Sequence, residues 1–351
     1  MPSLHKAALQ FRADLLERDS RAARELATLY LGAARRIRQQ ILQLALRMQE
    51  ARAAGETISP SWLYRQQRLA TLLLQVQNEL AGFNALASTT VASLQRELAS
   101  LGLRHSADLF AIATEGAGLS GGFAKLPSQA AGALAGFAGD GSPVAELFAR
   151  LAPGAAASVK QALFSGIVRG VGAEAVAKEV FQSLGGNMAR SLLIARNESL
   201  RAYRESSQQF YEANNDVIDG WRWVAACNTR TCPVCWAMHG SEHSVKEQFV
   251  SHPGCRCTPA PITDSTPAVQ SGPLRFAALS KPQQLQVLGP LKFAAYEGNQ
   301  ITLRDLVGTM SSRRWGMSLR ERSLSDALAD PRGEKLPKLP TRSATPRRRV
   351  A

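Results

Sequence analysis

The chain has 351 residues, a formal net charge of +14 and 20% charged residues, which is a globular composition long enough for about two domains. The N-terminus is charged and no uncharged run approaches the ~20 residues of a bilayer span, so neither a secretion signal nor a membrane span is expected. All five cysteines lie between Cys227 and Cys257, which argues against a disulfide framework and for a metal site in a reducing compartment.

Apolar residues recur at helical spacing through residues 1–113, which predicts a helical hairpin or coiled-coil arm. The first run extends from Leu15 to Met48 and the second from Trp62 to Leu101. Gly102 is expected to end the second helix. The two long antiparallel helices would either pack on the rest of the protein or project to contact a partner.

Residues 114–157 are rich in glycine, alanine and proline and predict a linker. Helical periodicity returns from residue 158, with breaks expected at Gly170–Gly172 and at Gly185-Gly186. The stretch from Ser191 to Tyr211 is expected to form a highly charged helix.

Residues 220–261 predict a zinc knuckle that contains a short strand. Cys232-Pro-Val-Cys235 places two thiols on one tight turn, a spacing suited to gripping a single ion. Cys255 with Cys257, or His252 with one of them, can complete a tetrahedron. So many thiols favour a closed, structural Zn²⁺ site over a catalytic one. The candidate ligands are Cys232, Cys235, His252, Cys255 and Cys257, and the participation of Cys227 stays open.

Residues 274–330 predict a small helical C-terminal segment, followed by a basic tail over 331–351. The tail holds seven cations against one acid and several prolines, so it is expected to be disordered and to bind polyanions such as DNA. Its candidate nucleic-acid contacts are Arg342, Arg347, Arg348 and Arg349.

The cysteine window also resembles a known family. Trp223-x8-Cys232-x2-Cys235, with Arg230-Thr231 and Gly240, and then His252-Pro-Gly-Cys255-Arg-Cys257, is similar to the signature of the phage head-morphogenesis family, the minor head proteins of tailed bacteriophages. Ala195-Arg196-Asn197-Glu198 is similar to that family's Arg-Thr-Glu helix, with Asn197 where threonine is usual. The resemblance covers residues 158–261 and departs from the pattern at Asn228, where aspartate is usual, and at the extra Cys227.

This resemblance implies a head-morphogenesis domain over residues 158–262 and a minor capsid protein present in few copies. It implies a place at the portal vertex of the virion head, reached from the host cytoplasm during assembly. The implied partners are the portal protein and other capsid or scaffold proteins, and the basic tail adds genomic DNA. The resemblance implies no catalytic residues, so we expect a protein without enzymatic activity.

Two other function classes fit the sequence less well. A free nucleic-acid-binding zinc protein would carry a recognition helix or an aromatic stacking pattern beside the knuckle. A metal-dependent hydrolase or nuclease would need acidic or histidine ligands and an open metal position, and residues 220–261 hold only Glu242 and Glu247 as acids. The predicted fold class is therefore mainly α, with a long antiparallel helical hairpin, then a helical domain with a small β-containing zinc knuckle.

Overall fold

The computed structural model describes residues 3–115, 130–168, 173–312, 316–331 and 336–341. Within these ranges the protein is mainly helical with small antiparallel sheets, which confirms the prediction of a mainly α fold that contains a small β part. The helices are α1 (Leu4–Ala53), α2 (Pro60–Arg65), α3 (Gln67–Thr114), α4 (Ala130–Leu134), α5 (Val144–Ala149), α6 (Leu151–Val168), α7 (Ala173–Ala213), α8 (Pro233–Met238), α9 (Gly272–Ala277), α10 (Lys281–Glu297) and α11 (Leu324–Ala329). The strands are β1 (Gly220–Val224), β2 (Glu242–Ser244), β3 (Thr258–Ile262), β4 (Val307–Ser312) and β5 (Gly316–Glu321).

The chain divides into two compact units, and each unit is assembled from separate stretches of sequence. The first comprises Met1–Arg18, Gln95–Ala135 and Leu200–Ala351, and the second comprises Asp19–Leu94 and Gly136–Ser199. The segments 1–113, 114–157 and 158–262 each contribute residues to both units. Each compact unit therefore combines parts of all three segments. None of the described helices combines the length and the apolarity of a bilayer span.

The second unit packs helical segments against one another. The ring of Tyr30 on α1 meets Phe83 on α3 edge-on at 5.0 Å between centroids, and Arg36 on α1 bonds Glu79 on α3. As residue numbers rise on α1 they fall on α3, which is the contact pattern of helices running in opposite directions. The Tyr30 hydroxyl also donates to the carbonyl of Leu184 on α7 at 2.6 Å, which ties a third helix to the pair.

The predicted helix stops at two glycine sites are wrong. Gly102 lies inside α3, and α7 runs through Gly185-Gly186, while Gly170–Gly172 lie outside the described residues. At Gly102 a Cβ would lie 2.5 Å from the Tyr203 carbonyl oxygen and 2.3 Å from Ser206 Oγ. Helices α3 and α7 therefore pack closely against each other at Gly102, and this close approach requires a residue without a side chain.

The segment 114–157, expected to be a linker, contains α4, α5 and the beginning of α6. Val144, Leu147 and Phe148 of α5 are buried. Alanine and leucine have the highest helix propensities, and here they outweigh the neighbouring glycines and prolines. Residues 116–129 of this segment lie outside the described part of the chain.

The first unit holds a sheet of order β2-β1-β3, in which β1 pairs antiparallel with both neighbours. Trp221 and Trp223 of β1 are fully buried, and Trp223 stacks on Phe249 at 4.1 Å between ring centroids. The strand order places β3 at an edge, where Pro259 and Pro261 have no N–H to offer another strand.

The first turns of α1 pack onto this sheet and onto the end of α3. The buried apolar cluster that joins them consists of Leu4, Ala7, Ala8, Leu109, Ala113, Val224 and Ala260. This cluster fixes the N-terminal residues beside β1 and β3.

Part of the tail that was expected to be disordered packs against the first unit. Leu339 is only 6% exposed, and the N–H of Gln248 donates to the Pro340 carbonyl at 2.9 Å. Thr341 also forms a β-bridge with Glu247. The prediction of disorder is therefore wrong for residues 336–341, because a count of charges overlooks the apolar side chains between them. The candidate residues Arg342, Arg347, Arg348 and Arg349 lie outside the described residues.

Gly102→Ala is expected to lower the thermal unfolding midpoint, because the added methyl group must push α3 away from the Tyr203 carbonyl. Overpacking of this kind costs about 1–3 kcal/mol. Gly82→Ala on the same helix is the matched control, since nothing lies within 4 Å of its Cβ and alanine there should stabilise the helix by about 1 kcal/mol. Thermal melts followed by circular dichroism compare the two. A Gly102→Ala variant as stable as Gly82→Ala would contradict the packing role.

Candidate metal centre

A turn and a short helix position the first two thiols. The N–H of Thr231 donates to the Asn228 carbonyl at 2.8 Å, which closes a turn just before Cys232. Cys232 is the N-cap of α8, and its sulfur accepts the N–H of Cys235 at 3.5 Å. Pro233 occupies the first helical position, where its missing N–H costs nothing. The two sulfurs are thus held on one side of the start of α8.

A second turn brings in the remaining candidate ligands. The N–H of Cys255 donates to the His252 carbonyl at 3.1 Å, with Pro253 second in the turn and Gly254 third at φ +77°. A type II turn has this arrangement and requires glycine or asparagine at its third position. The turn therefore places the His252 ring and the Cys255 thiol at the two ends of a four-residue loop.

The structure brings all the predicted ligands together. His252 Nε2 lies 3.2 Å from Cys232 Sγ and 3.1 Å from Cys235 Sγ, and Cys235 Sγ lies 3.8 Å from Cys255 Sγ. Four ligands in a tetrahedron around zinc, with bonds near 2.3 Å, would lie about 3.8 Å apart. The described residues form two potential metal-binding groups that share Cys235: Cys232 with Cys235 and His252, and Cys235 with Cys255 and Cys257.

Cys227, whose participation was left open, belongs to neither of these groups among the described residues. Its side chain is half-buried, and burial raises the pKa of its thiol to about 11.

Protonation at the cluster suits a divalent cation. His252 Nδ1 donates to the Pro253 carbonyl at 2.9 Å, which leaves Nε2 as the ring atom that faces the sulfurs. Burial disfavours the imidazolium, but hydrogen bonds and charges of Cys232 and Cys255 raise the pKa of His252 to about 11. Hydrogen bonding to Cys235 and to His252 lowers the pKa of Cys232 to about 5. A cation such as Zn²⁺ would displace the shared proton from this thiolate–imidazolium pair.

Arg204 on α7 holds the loop that carries Cys255 and Cys257. Its guanidinium donates to the Cys257 carbonyl at 3.0 Å, to the Cys255 carbonyl at 2.8 Å and to Ser251 Oγ at 3.0 Å. The side chain is buried and lies over the Phe249 ring, and no carboxylate pairs with it in the described part of the chain. Its charge favours the thiolate of Cys255, so an anionic cysteine cluster would compensate a buried cation that would otherwise be costly.

A buried indole N–H gives a further test of fit. Trp223 Nε1 is buried, and no hydrogen-bond partner for it lies within the described ranges. The Trp223 side chain lies beside Cys257 and favours its thiolate form. A thiolate at Cys257 would therefore give this N–H an acceptor. The donor set, the sulfur spacing and this N–H all fit a zinc-thiolate centre.

A cleft of about 120 Å³ opens beside the cluster. Arg12, Arg230 and Arg256 line it together with the candidate ligands, and no acidic residue in the described ranges does so. Glu242 instead pairs with Arg222 at 2.6 Å. The cleft thus offers no carboxylate to act as the general base of a hydrolase.

Residues 157–260 match the family model described as Phage Mu protein F like protein. This match covers under a third of the chain, includes every candidate metal ligand and confirms the predicted resemblance to the phage head-morphogenesis family. No curated protein and no solved structure matches the chain.

Protein purified without chelators is expected to contain about one zinc ion per chain, measured by elemental analysis. Cys235→Ser should lose the ion, because Cys235 belongs to both groups of candidate ligands. Cys227→Ser is the matched control and should keep it. Single substitutions of His252, Cys255 and Cys257 then identify the other ligands. Zinc-free wild-type protein, or full zinc content in Cys235→Ser, would contradict the assignment.

Arg204→Gln is expected to weaken zinc binding about 10- to 100-fold, the usual effect of removing a group that orients metal ligands. Competition with a chromophoric chelator measures the affinity. Arg201→Gln removes the same charge three residues earlier on α7, where Arg201 pairs with Glu205 at 2.8 Å, and should leave the affinity unchanged. Equal affinities in the two variants would show that Arg204 does not support the metal loop.

Proposed function

We propose that this protein is a non-enzymatic assembly component of a phage-like head, a minor capsid protein associated with the portal vertex. The observation that carries the proposal is the family match over residues 157–260, which spans the whole Cys/His cluster. The phage head-morphogenesis family is generally structural.

In this proposal Zn²⁺ is structural. Cys232 and Cys235 would hold it from the start of α8, with two further ligands from His252, Cys255 and Cys257. The ion would cross-link α8 to the loop before β3 and leave no position for an activated water. Arg204 would hold the same loop against α7. The domain is thus stabilised by one ion and one guanidinium.

The proposed partners are the portal protein, other capsid or scaffold proteins, and genomic DNA. The net charge of +14 supports contact with DNA or with acidic protein surfaces. The proposed DNA contacts are Arg342, Arg347, Arg348 and Arg349, which follow the packed residues 336–341. The proposed location is the virion head, with assembly in the host cytoplasm.

Deleting the gene from the phage or prophage that encodes it should leave shells that assemble but are not infectious. Supplying the wild-type chain or Cys227→Ser in trans should restore infectivity, whereas Cys235→Ser should not, because its metal-binding domain would not hold together. Plaque titres and pull-down of the portal protein with a tagged chain provide the measurements. A normal yield from the deletion would overturn the assignment.

Ending the chain after Thr341 is expected to weaken DNA binding and to flatten its dependence on salt, because fewer counterions are released from the phosphates. This end point keeps Leu339 in its buried position. Filter binding or fluorescence anisotropy at several salt concentrations gives the slope. Replacing the four arginines by lysine is the control and should keep most of the slope. An unchanged slope in the shortened chain would mean that DNA is bound elsewhere or not at all.

A further inference from the structure

A second cavity, of about 380 Å³, lies in the first unit beside the sheet, away from the cysteine cluster. Its volume is in the range of small-ligand sites. The beginning of α1, strands β1 and β3, the link before α9 and α9 itself form its walls. The apolar lining residues are Leu4, Val224, Ala260, Pro261, Pro267, Ala268 and Val269.

Arg275 on α9 brings an uncompensated positive charge into this cavity. Its Nη1 donates to His5 Nε2 at 3.3 Å and lies 3.4 Å from His239 Nε2. No carboxylate lies within ion-pair distance of it among the described residues. The other cation of the lining, Arg222, is already paired with Glu242 and donates to the Pro267 carbonyl at 2.9 Å. Of the two arginines that line the cavity, Arg275 is thus the one without a carboxylate partner among the described residues.

His239 lies next to Arg275 but is not among the residues that line the cavity, and its hydrogen bonds show that its Nε2 cannot accept from Arg275. His239 Nδ1 accepts the backbone N–H of Ala225 at 3.1 Å, so in the neutral ring the proton is on Nε2. Burial and the charge of Arg275 lower the pKa of His239 to about 4, which keeps the ring neutral at pH 7. The contact between His239 Nε2 and Arg275 Nη1 therefore joins two donors. His239 is 1% exposed, and its Nε2–H has no acceptor in the described ranges.

We propose that this cavity binds an acidic peptide segment of a partner protein, whose carboxylate accepts from the guanidinium of Arg275. One guanidinium without a carboxylate partner among the described residues suits the single charge of a carboxylate. A phosphate dianion would need a further unpaired cation or several converging backbone N–H groups. The segment is thus an aspartate or glutamate flanked by small apolar residues that contact the apolar walls.

The net charge of the chain and the apolar lining of the cavity favour a peptide over a small free acid. The chain carries a net charge of +14, which attracts acidic protein surfaces. The link that borders the cavity exposes Ala268 and Gln270, so a chain can enter from this side. The apolar lining gives side chains on both sides of the carboxylate a surface to bury. This inference does not depend on a role in head assembly.

Histidine NMR on the full chain tests the proposal. The sequence has five histidines, so ¹³C-labelled imidazole carbons give a spectrum simple enough to follow. The probe is acetyl-Ala-Val-Asp-Val-Ala-amide. Saturable shifts are expected for His5 and His239, with the signals of His105 and His252 unmoved. The same peptide with asparagine in place of aspartate should bind at least tenfold more weakly.

Arg275→Gln should abolish the response, and Lys246→Gln, which removes an exposed charge of the same unit, should leave it unchanged. Gln270→Glu, an isosteric change at an exposed lining residue, should weaken binding several-fold and leaves the fold intact if Arg275→Gln does not fold. Equal binding of the asparagine peptide, or unchanged binding in Gln270→Glu, would overturn the proposal. Tighter binding of the same peptide with phosphoserine in place of aspartate, or equal shifts with acetate alone at the same concentration, would overturn the choice of an acidic peptide.

Discussion

The buried guanidinium of Arg204 connects the metal centre with the rest of the first unit. It is anchored on the long helix α7 and donates to the carbonyls of Cys255 and Cys257, two residues of one short loop. Strand β3 begins at the next residue, Thr258. The hydrogen bonds from Arg204 to the loop therefore also fix the position at which β3 pairs with β1. Thiolates in the neighbouring cysteine cluster would compensate a cation in this position. The guanidinium of Arg204 thus connects α7, the loop that carries Cys255 and Cys257, and the sheet.

The gathering of the candidate metal ligands could be predicted from the sequence because much of its geometry is local. Cys232 and Cys235 sit on one helix start, and His252 and Cys255 sit on one turn whose form Pro253 and Gly254 dictate. Turn chemistry of this kind is encoded in a few neighbouring residues. The family resemblance rests on the same short segment. Fold class likewise follows from helical periodicity, which is a property of each stretch by itself.

Features that depend on distant residues could not be predicted. Gly102 looked like a helix stop because only Tyr203 and Ser206, on another helix, reveal that it is a contact point. The sequence shows an acid, Glu205, at pairing distance from Arg201 and none at that distance from Arg204, but it does not show that Arg204 is buried against carbonyls. The hydrogen bond between Arg275 and His5 joins residues that are 270 positions apart in the chain. Tertiary packing determines these positions, and local sequence patterns carry no information about it.

The cluster that joins the beginning of α1 to β1 and β3 bears on how the protein is made. Leu4, Ala7 and Ala8 are synthesised more than 250 residues before Ala260, the strand residue that packs against them. At roughly 5–20 residues per second, the ribosome needs tens of seconds to synthesise the stretch between them. During this time the apolar side chains of α1 are not covered by β3. Contacts this far apart in sequence also close slowly. The first unit can therefore be completed only when translation has passed β3.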